Sequence, residues 1–155
     1  PRVSGSRAPK RAEPGPVSER LLSKTRARVL IVDDEPEIRL SLTTLLETVG
    51  WEVRAAASQG DAVSAWESGF LADALLLDFR LNDGTSGLDT LEELRRRGCR
   101  SPALLVTGDT EPLRIAAARA AGIQVIYKPV DGLRLVDALR TAIMAGDAPE
   151  QADAS

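Results

Sequence analysis

A chain of 155 residues, 43% of them hydrophobic, is long enough to bury one core and predicts a single folded domain. Only 3% of the residues are aromatic, so aliphatic side chains must build that core. The net charge of −3 gives no reason to expect binding to nucleic acid or to a membrane surface. The chain contains no histidine, which excludes a phosphohistidine donor, a Ser-His pair and a His-ligated metal.

The termini and the single cysteine set further expectations. Residues 1–28 carry eight Lys/Arg and two Glu, a net charge of +6, and the chain does not begin with Met. We therefore expect part of a longer protein, with a flexible basic linker at 1–26, a folded domain at 27–145 and a disordered tail at 146–155. Cys99 cannot form an internal disulfide, which favours a reducing, cytoplasmic compartment, and we expect it on the surface or in a loop.

Apolar runs and helical periodicity predict five strands in strict alternation with five helices. The predicted strands are residues 28–32, 51–56, 74–78, 103–106 and 124–127. The predicted helices begin near Pro36, Ser58, Leu88, Glu111 and Asp131, and glycines or turn residues end them. This alternation requires parallel strands joined by right-handed crossovers, with helices on both faces of the sheet.

Polar side chains stand at the ends of four of these apolar runs. The third run has no polar alternation, which suits a strand buried on both faces, and it stops at Asp78. Asp33 and Asp34 follow the first strand, Thr107 ends the fourth and Lys128 follows the fifth. Because the carboxyl ends of parallel strands lie at one edge of a sheet, these side chains should meet there.

Three carboxylates at one edge repel each other unless a cation lies between them. With no His or Cys at these strand ends, the oxygen-rich cluster suits Mg²⁺. A metal beside the Asp78 carboxylate, the Thr107 hydroxyl and the Lys128 ammonium would form a phosphoryl-transfer site. In such a site the carboxylate attacks phosphorus while the cations balance charge on the phosphoryl oxygens.

Four motifs at these positions resemble the receiver domain of bacterial two-component response regulators. They are VLIVDDE (29–35), LLLDFR (75–80), LLVTGD (104–109) and YKPV (127–130). The resemblance covers about residues 27–145 and implies a flavodoxin-like, doubly wound sheet of order 2-1-3-4-5 in a single α/β domain. It further implies that a histidine kinase, in cis or in trans, transfers its phosphoryl group to this chain, which then signals to a downstream protein or phosphotransfer protein.

The resemblance also implies a role for each motif residue. Asp78 matches the phosphoacceptor, Thr107 the switch hydroxyl and Lys128 the ammonium that pairs with the phosphoryl group. The Lys128–Pro129 peptide bond matches one that is usually cis in this family.

A magnesium site follows from the same comparison. Asp34 matches the carboxylate that ligates Mg²⁺ directly, and Asp33 matches the one that usually acts through water. Asp78 and the backbone carbonyl of Arg80 would complete the ligand set.

Some positions depart from the family pattern. Val125 stands where the family often has an aromatic switch residue, which leaves open whether Tyr127 takes part in switching. The loop after Asp78 lacks the usual Pro, and its Gly87 comes one residue later than in the commonest pattern. The form DFRLNDGTSGLDTL (78–91) is similar to receivers at the C-terminus of hybrid sensor histidine kinases, so the parent protein could be such a kinase, although this chain has no kinase motifs.

Other functions stay open at this point. The domain could belong to a stand-alone response regulator, or it could be a receiver that serves only as an interaction module. A small Mg²⁺-dependent phosphohydrolase with an aspartyl-phosphate intermediate is a further alternative. Such enzymes usually have a second acid two residues after the nucleophile, where this chain has Arg80.

Overall fold

The computed structural model describes residues 26–81, 84–108 and 112–146. Within these residues, five parallel strands form one sheet of order β2-β1-β3-β4-β5, and five helices connect or follow them. The strands are β1 (Arg28–Val32), β2 (Glu52–Ala56), β3 (Ala74–Asp78), β4 (Ala103–Thr107) and β5 (Gln124–Tyr127). The helices are α1 (Pro36–Val49), α2 (Gln59–Glu67), α3 (Gly87–Arg96), α4 (Pro112–Ala120) and α5 (Gly132–Gly146). The predicted flavodoxin-like order is confirmed.

The termini fall almost entirely outside this part of the chain. Apart from their boundary residues Arg26 and Gly146, the predicted linker (1–26) and tail (146–155) lie outside the described residues. Both therefore stay predictions.

The sheet is covered on both faces because alternate residues of its central strands point to opposite sides. Leu75 and Leu77 of β3 lie in one hydrophobic cluster, with α2, α3 and α4. Leu76 lies in the other cluster, with α1 and α5. Every residue of β3 is buried, as the unbroken apolar run predicted, so both helical layers pack against the strand that ends at Asp78.

Local signals in the sequence fix the ends of the helices. Gly50 ends α1 in the left-handed region at φ 104°. Ser58 caps α2 because its Oγ accepts a hydrogen bond from the Asp61 N–H at 3.1 Å. Asp131 caps α5 in the same way, with Oδ1 accepting from the Leu133 N–H at 2.9 Å. These ends hold the crossover loops, and hence the strand ends, in place.

Cys99 lies in the loop between α3 and β4, one of the two predicted positions, but it is not on the surface, because its side chain is fully buried in the cluster beneath α3. The chain reverses at Gly98, whose φ is 93°, and the Cys99 N–H then donates to the Leu94 carbonyl at 3.0 Å. This turn directs the thiol toward the sheet. A small, weakly polar side chain is readily accommodated in such a position.

Candidate functional site

Four strand ends bring the predicted site residues to one edge of the sheet. Lys128 Nζ, after β5, lies 3.3 Å from Asp78 Oδ1 at the end of β3. One carboxylate oxygen from each of Asp33, Asp34 and Asp78 lies within 4.8 Å of the others. Thr107, at the end of β4, is 1% exposed and lines the same cleft as Asp78 and Lys128. The structure thus places all five side chains together.

The turn after β1 holds Asp33 in a fixed orientation. Its Oδ1 accepts a hydrogen bond from the Glu35 N–H at 2.9 Å, and its backbone carbonyl accepts one from Arg39 Nη1 at 2.7 Å. Burial raises the pKa of Asp33, although the Glu35 hydrogen bond and the charge of Lys128 oppose this shift. A buried acid of this kind gains from any cation placed beside it.

The pKa of the Asp78 carboxyl is strongly raised. Burial, with the nearby negative charge of Asp33, raises the pKa of Asp78 to about 6, while the charge and hydrogen bond of Lys128 act in the opposite direction. The donor set therefore fits Mg²⁺, which prefers carboxylate and carbonyl oxygens and would offset the mutual repulsion. The ligand roles predicted for Asp33, Asp34, Asp78 and the Arg80 carbonyl stay predictions.

The chain after Asp78 returns to the site through a tightly packed helix start. Ser86 caps α3 with a reciprocal capping box, in which its Oγ and its N–H bond to Asp89 at 3.1 and 2.9 Å. The Gly87 N–H donates to the Phe79 carbonyl at 2.9 Å. A Cβ at Gly87 would lie 2.5 Å from the Asp78 carbonyl oxygen, so only glycine allows this approach.

One residue that the sequence interpretation missed also lines the cleft. Arg114, in the first turn of α4, borders the cleft of about 600 Å³ that contains Asp78, Thr107 and Lys128. Its guanidinium carbon lies 5.6 Å from the centroid of the Phe79 ring. The available signal was an arginine in the first turn of the helix that follows Thr107.

Val125 and Tyr127, at and near the position of the family's aromatic switch residue, lie in the core and at the surface respectively. Val125 is buried in the core, 8% exposed. Tyr127 is 47% exposed and lies beneath the Arg119 guanidinium, at 5.9 Å from its carbon to the ring centroid. The Lys128–Pro129 bond is cis, as the resemblance implied. Whether Tyr127 takes part in switching stays open.

Comparison with known proteins gives the family. The model of the response regulator receiver domain matches residues 29–140. The chain belongs to this family. This receiver domain is 33% identical over 121 residues to nodulation protein W of Bradyrhizobium diazoefficiens, covering 77% of this chain and 52% of that protein. It is 34% identical over 122 residues to the C4-dicarboxylate transport transcriptional regulatory protein DctR of Rhodobacter capsulatus, covering 76% of this chain and 60% of that protein.

A solved structure gives the same result. The CheY-like receiver domain protein of Methanospirillum hungatei aligns with a TM-score of 0.72 at 28% identity, over 78% of this chain and 96% of that one. The chain spans only about half to 60% of the two curated relatives above, so their full-length activities are theirs alone.

Membership of the receiver-domain family indicates the general chemistry of the domain. Receiver domains take a phosphoryl group from histidine kinases, relay the signal to effectors and bind Mg²⁺ at an acidic cluster. This receiver domain has such a cluster in Asp33, Asp34 and Asp78. None of the helices in the described residues has the length and hydropathy that crossing a membrane requires.

Proposed function

We propose that Asp78 accepts a phosphoryl group from the phosphohistidine of a histidine kinase. The observation that carries the proposal is the 3.3 Å contact between Lys128 Nζ and Asp78 Oδ1, beside the carboxylates of Asp33 and Asp34. The nucleophile therefore has a cation on one side and an acidic metal-type cluster on the other. Both are needed to stabilise the charge of a phosphoryl group in transfer.

The reaction is an in-line displacement at phosphorus. A carboxylate oxygen of Asp78 forms the new O–P bond as the P–N bond of the phosphoimidazole breaks. The nitrogen keeps the electron pair and takes a proton from solvent, so the histidine leaves as neutral imidazole. Lys128 pairs with the charge on the phosphoryl oxygens, and the Thr107 hydroxyl donates a hydrogen bond to one of them.

Four groups of this chain would hold the metal ion. They are the carboxylates of Asp34 and Asp78, the carboxylate of Asp33 acting through water, and the backbone carbonyl of Arg80. When bound, Mg²⁺ supplies positive charge to the phosphoryl oxygens during transfer.

Phosphorylation then shifts a pre-existing equilibrium. The acyl phosphate on Asp78 is a dianion that draws Thr107 and the loop after it inward. Because Thr107 precedes α4 and pairs with Tyr127 of β5, the change reaches the face formed by α4 and β5. A partner protein that prefers the altered face would transmit the signal.

The context we favour is a hybrid sensor histidine kinase with this domain at its C-terminus. The loop sequence DFRLNDGTSGLDTL (78–91) supports it. The alternative is a separate response regulator, which is what the names of relatives such as DctR indicate for those proteins. The reading frame of the parent protein decides between them. A kinase core upstream supports the hybrid, and a DNA-binding domain downstream contradicts it.

Phosphorylation by acetyl phosphate with Mg²⁺ tests the acceptor. We expect intact-mass spectrometry to detect one phosphoryl group on the wild type and none on Asp78→Asn. Asp137→Asn is a matched control, because Asp137 is an exposed residue of α5, and it should be phosphorylated like the wild type. Equal phosphorylation of Asp78→Asn would refute the assignment, and steady release of phosphate from organic phosphates would favour the phosphohydrolase.

A further inference from the structure

Helix α4 brings a cationic side chain to the cleft that contains Asp78. Arg114 is the third residue of α4 and lines this cleft together with Thr107 and Lys128. Lys128 reaches the same cleft from the end of β5. Among the described residues, the cleft is therefore bordered by three cations, Lys128 from the end of β5, Arg80 from the chain after β3 and Arg114 from α4.

The Arg114 guanidinium lies over the buried ring of Phe79. Phe79 is 1% exposed, its N–H donates to the Val106 carbonyl at 2.8 Å, and its carbonyl accepts from the Gly87 N–H at 2.9 Å. The Arg114 guanidinium carbon lies 5.6 Å from the ring centroid, within the range of a cation–π contact. Because Phe79 follows Asp78 directly, this contact places the guanidinium in the cleft of the proposed phosphoacceptor.

Phosphorylation creates a need for positive charge at this place. The phosphoryl group brings about two negative charges to Asp78, whose carboxylate lies within 4.8 Å of those of Asp33 and Asp34. One divalent ion and Lys128 together carry one positive charge fewer than these groups require. A guanidinium supplies that charge and a planar fork of donors that matches phosphoryl oxygens.

We propose that Arg114 binds the phosphoryl group on Asp78 and so couples the position of α4 to phosphorylation. This inference rests on the proposed function, since it requires a phosphoryl group on Asp78. Val125, a small core residue, offers no side chain that could form such a link from β5. An arginine on α4 makes the link directly, without a rotating aromatic ring.

The same helix provides a matched control. Arg119 of α4 is an exposed arginine that lies over the Tyr127 ring, and it does not line the cleft. Its replacement changes the charge of α4 as much as the replacement of Arg114 does. Arg80 also lines the cleft and is the competing source of charge, so its variant completes the set.

The test uses beryllofluoride, a tetrahedral mimic of the phosphoryl group, in the presence of Mg²⁺. Its affinity is measured by calorimetry for the wild type, Arg114→Gln, Arg114→Lys, Arg119→Gln and Arg80→Gln. We expect Arg114→Gln to lose about tenfold in affinity, the size of one charge-assisted hydrogen bond, and Arg114→Lys to recover part of it. Arg119→Gln should stay within about twofold of the wild type, and Arg80→Gln should lose less affinity than Arg114→Gln.

Hydrogen exchange supplies a readout of the coupling itself. Beryllofluoride should slow amide exchange in the first turn of α4 in the wild type and in Arg119→Gln, and not in Arg114→Gln. If Arg114→Gln keeps the wild-type affinity for beryllofluoride and the slowed amide exchange, the inference is overturned. An equal loss of affinity in Arg119→Gln, or a larger loss in Arg80→Gln, would also overturn it. If the wild type binds no beryllofluoride, the proposed function fails first, so the two failures are distinguishable.

Discussion

Burial gives the Asp78 carboxyl a pKa of about 6, compared with an ordinary value of 3.8. The negative charge of Asp33 adds to the effect, and the ammonium of Lys128 reduces it. A carboxyl whose pKa is higher in the folded chain binds its proton more tightly when folded. Its contribution to the unfolding free energy is therefore fully present below the unfolded pKa and is lost as pH rises through the folded pKa.

This sign predicts that the metal-free domain gains stability on mild acidification. Between about pH 8 and about pH 5, protonation of Asp78 should raise the unfolding free energy by about 1.4 kcal/mol. Burial also raises the pKa of Asp33, so its protonation adds to the gain in the same direction. The pKa of Glu93 is lowered by its hydrogen bond to Arg97, so its effect belongs to pH values below 4.5 and does not interfere. Urea denaturation in a chelator measures the change. Asp78→Asn should remove most of it, and an unchanged pH dependence in that variant would show that another group is responsible.

Single residues differ in how far the sequence predicts their place. Asp78 and Lys128 were predictable because a strand end fixes a side chain to one edge of the sheet. Arg114 was not, because the reach of its long side chain depends on the angle of α4 and on the buried ring of Phe79. The loop position of Cys99 was predictable, but its burial was not, because the direction of one side chain after a turn depends on the packing around it.

At the scale of elements, the start of α3 controls the backbone of the site. Position 87 requires glycine because no space is left for a side chain, and its φ is not positive. A Cβ there would lie 2.5 Å from the Asp78 carbonyl oxygen and 2.7 Å from Leu105 Cδ1. Neither atom can move far. The first belongs to the end of β3, and Leu105 is fully buried.

Gly87→Ala should therefore destabilise the domain by about 1–3 kcal/mol, the usual cost of overpacking, and displace the backbone of Asp78. Chemical denaturation measures the loss. Gly60→Ala is the matched control, because its Cβ would have Ser58 Oγ at 3.9 Å as its nearest contact. In the first turn of α2 that alanine should be neutral or stabilising by less than about 1 kcal/mol. Equal changes in the unfolding free energy of the two variants would show that helix propensity, and not lack of space, sets the cost of replacing Gly87.

Most element boundaries were predictable because short-range signals set them. Proline at the start of α1, Ser58 before α2 and the glycine after α1 act within one turn of the chain. Helix α3 begins at Gly87, one residue before the predicted Leu88, because Ser86 and Asp89 form a capping box. The spatial role of Gly87 was not predictable, since it depends on β3 and β4, which are distant in sequence.

At the scale of the whole molecule, the site exists only when the sheet is complete. Its side chains follow β1, β3, β4 and β5, and these strands share two helical layers. Strict alternation predicted parallel strands with helices on both faces, and the family resemblance implied the strand order. Because unfolding disperses all the ligands at once, a cation bound by the acidic cluster must stabilise the entire domain.

We therefore expect Mg²⁺ to raise the unfolding free energy of the domain at neutral pH. One site at a hundred times its dissociation constant adds about 2.7 kcal/mol if the unfolded chain does not bind the ion. Relief of the repulsion among Asp33, Asp34 and Asp78 is the physical source of this stabilisation. Thermal or urea unfolding with increasing MgCl₂, against NaCl at equal ionic strength, measures it.

Two variants separate site binding from a general salt effect. Asp34→Asn removes one of the three clustered carboxylates and should abolish most of the Mg²⁺-dependent gain. Asp137→Asn removes an exposed carboxylate of α5 and should leave the gain intact. If NaCl stabilises the wild type as much as MgCl₂ does, or if both variants respond equally, the acidic cluster is not where the ion binds.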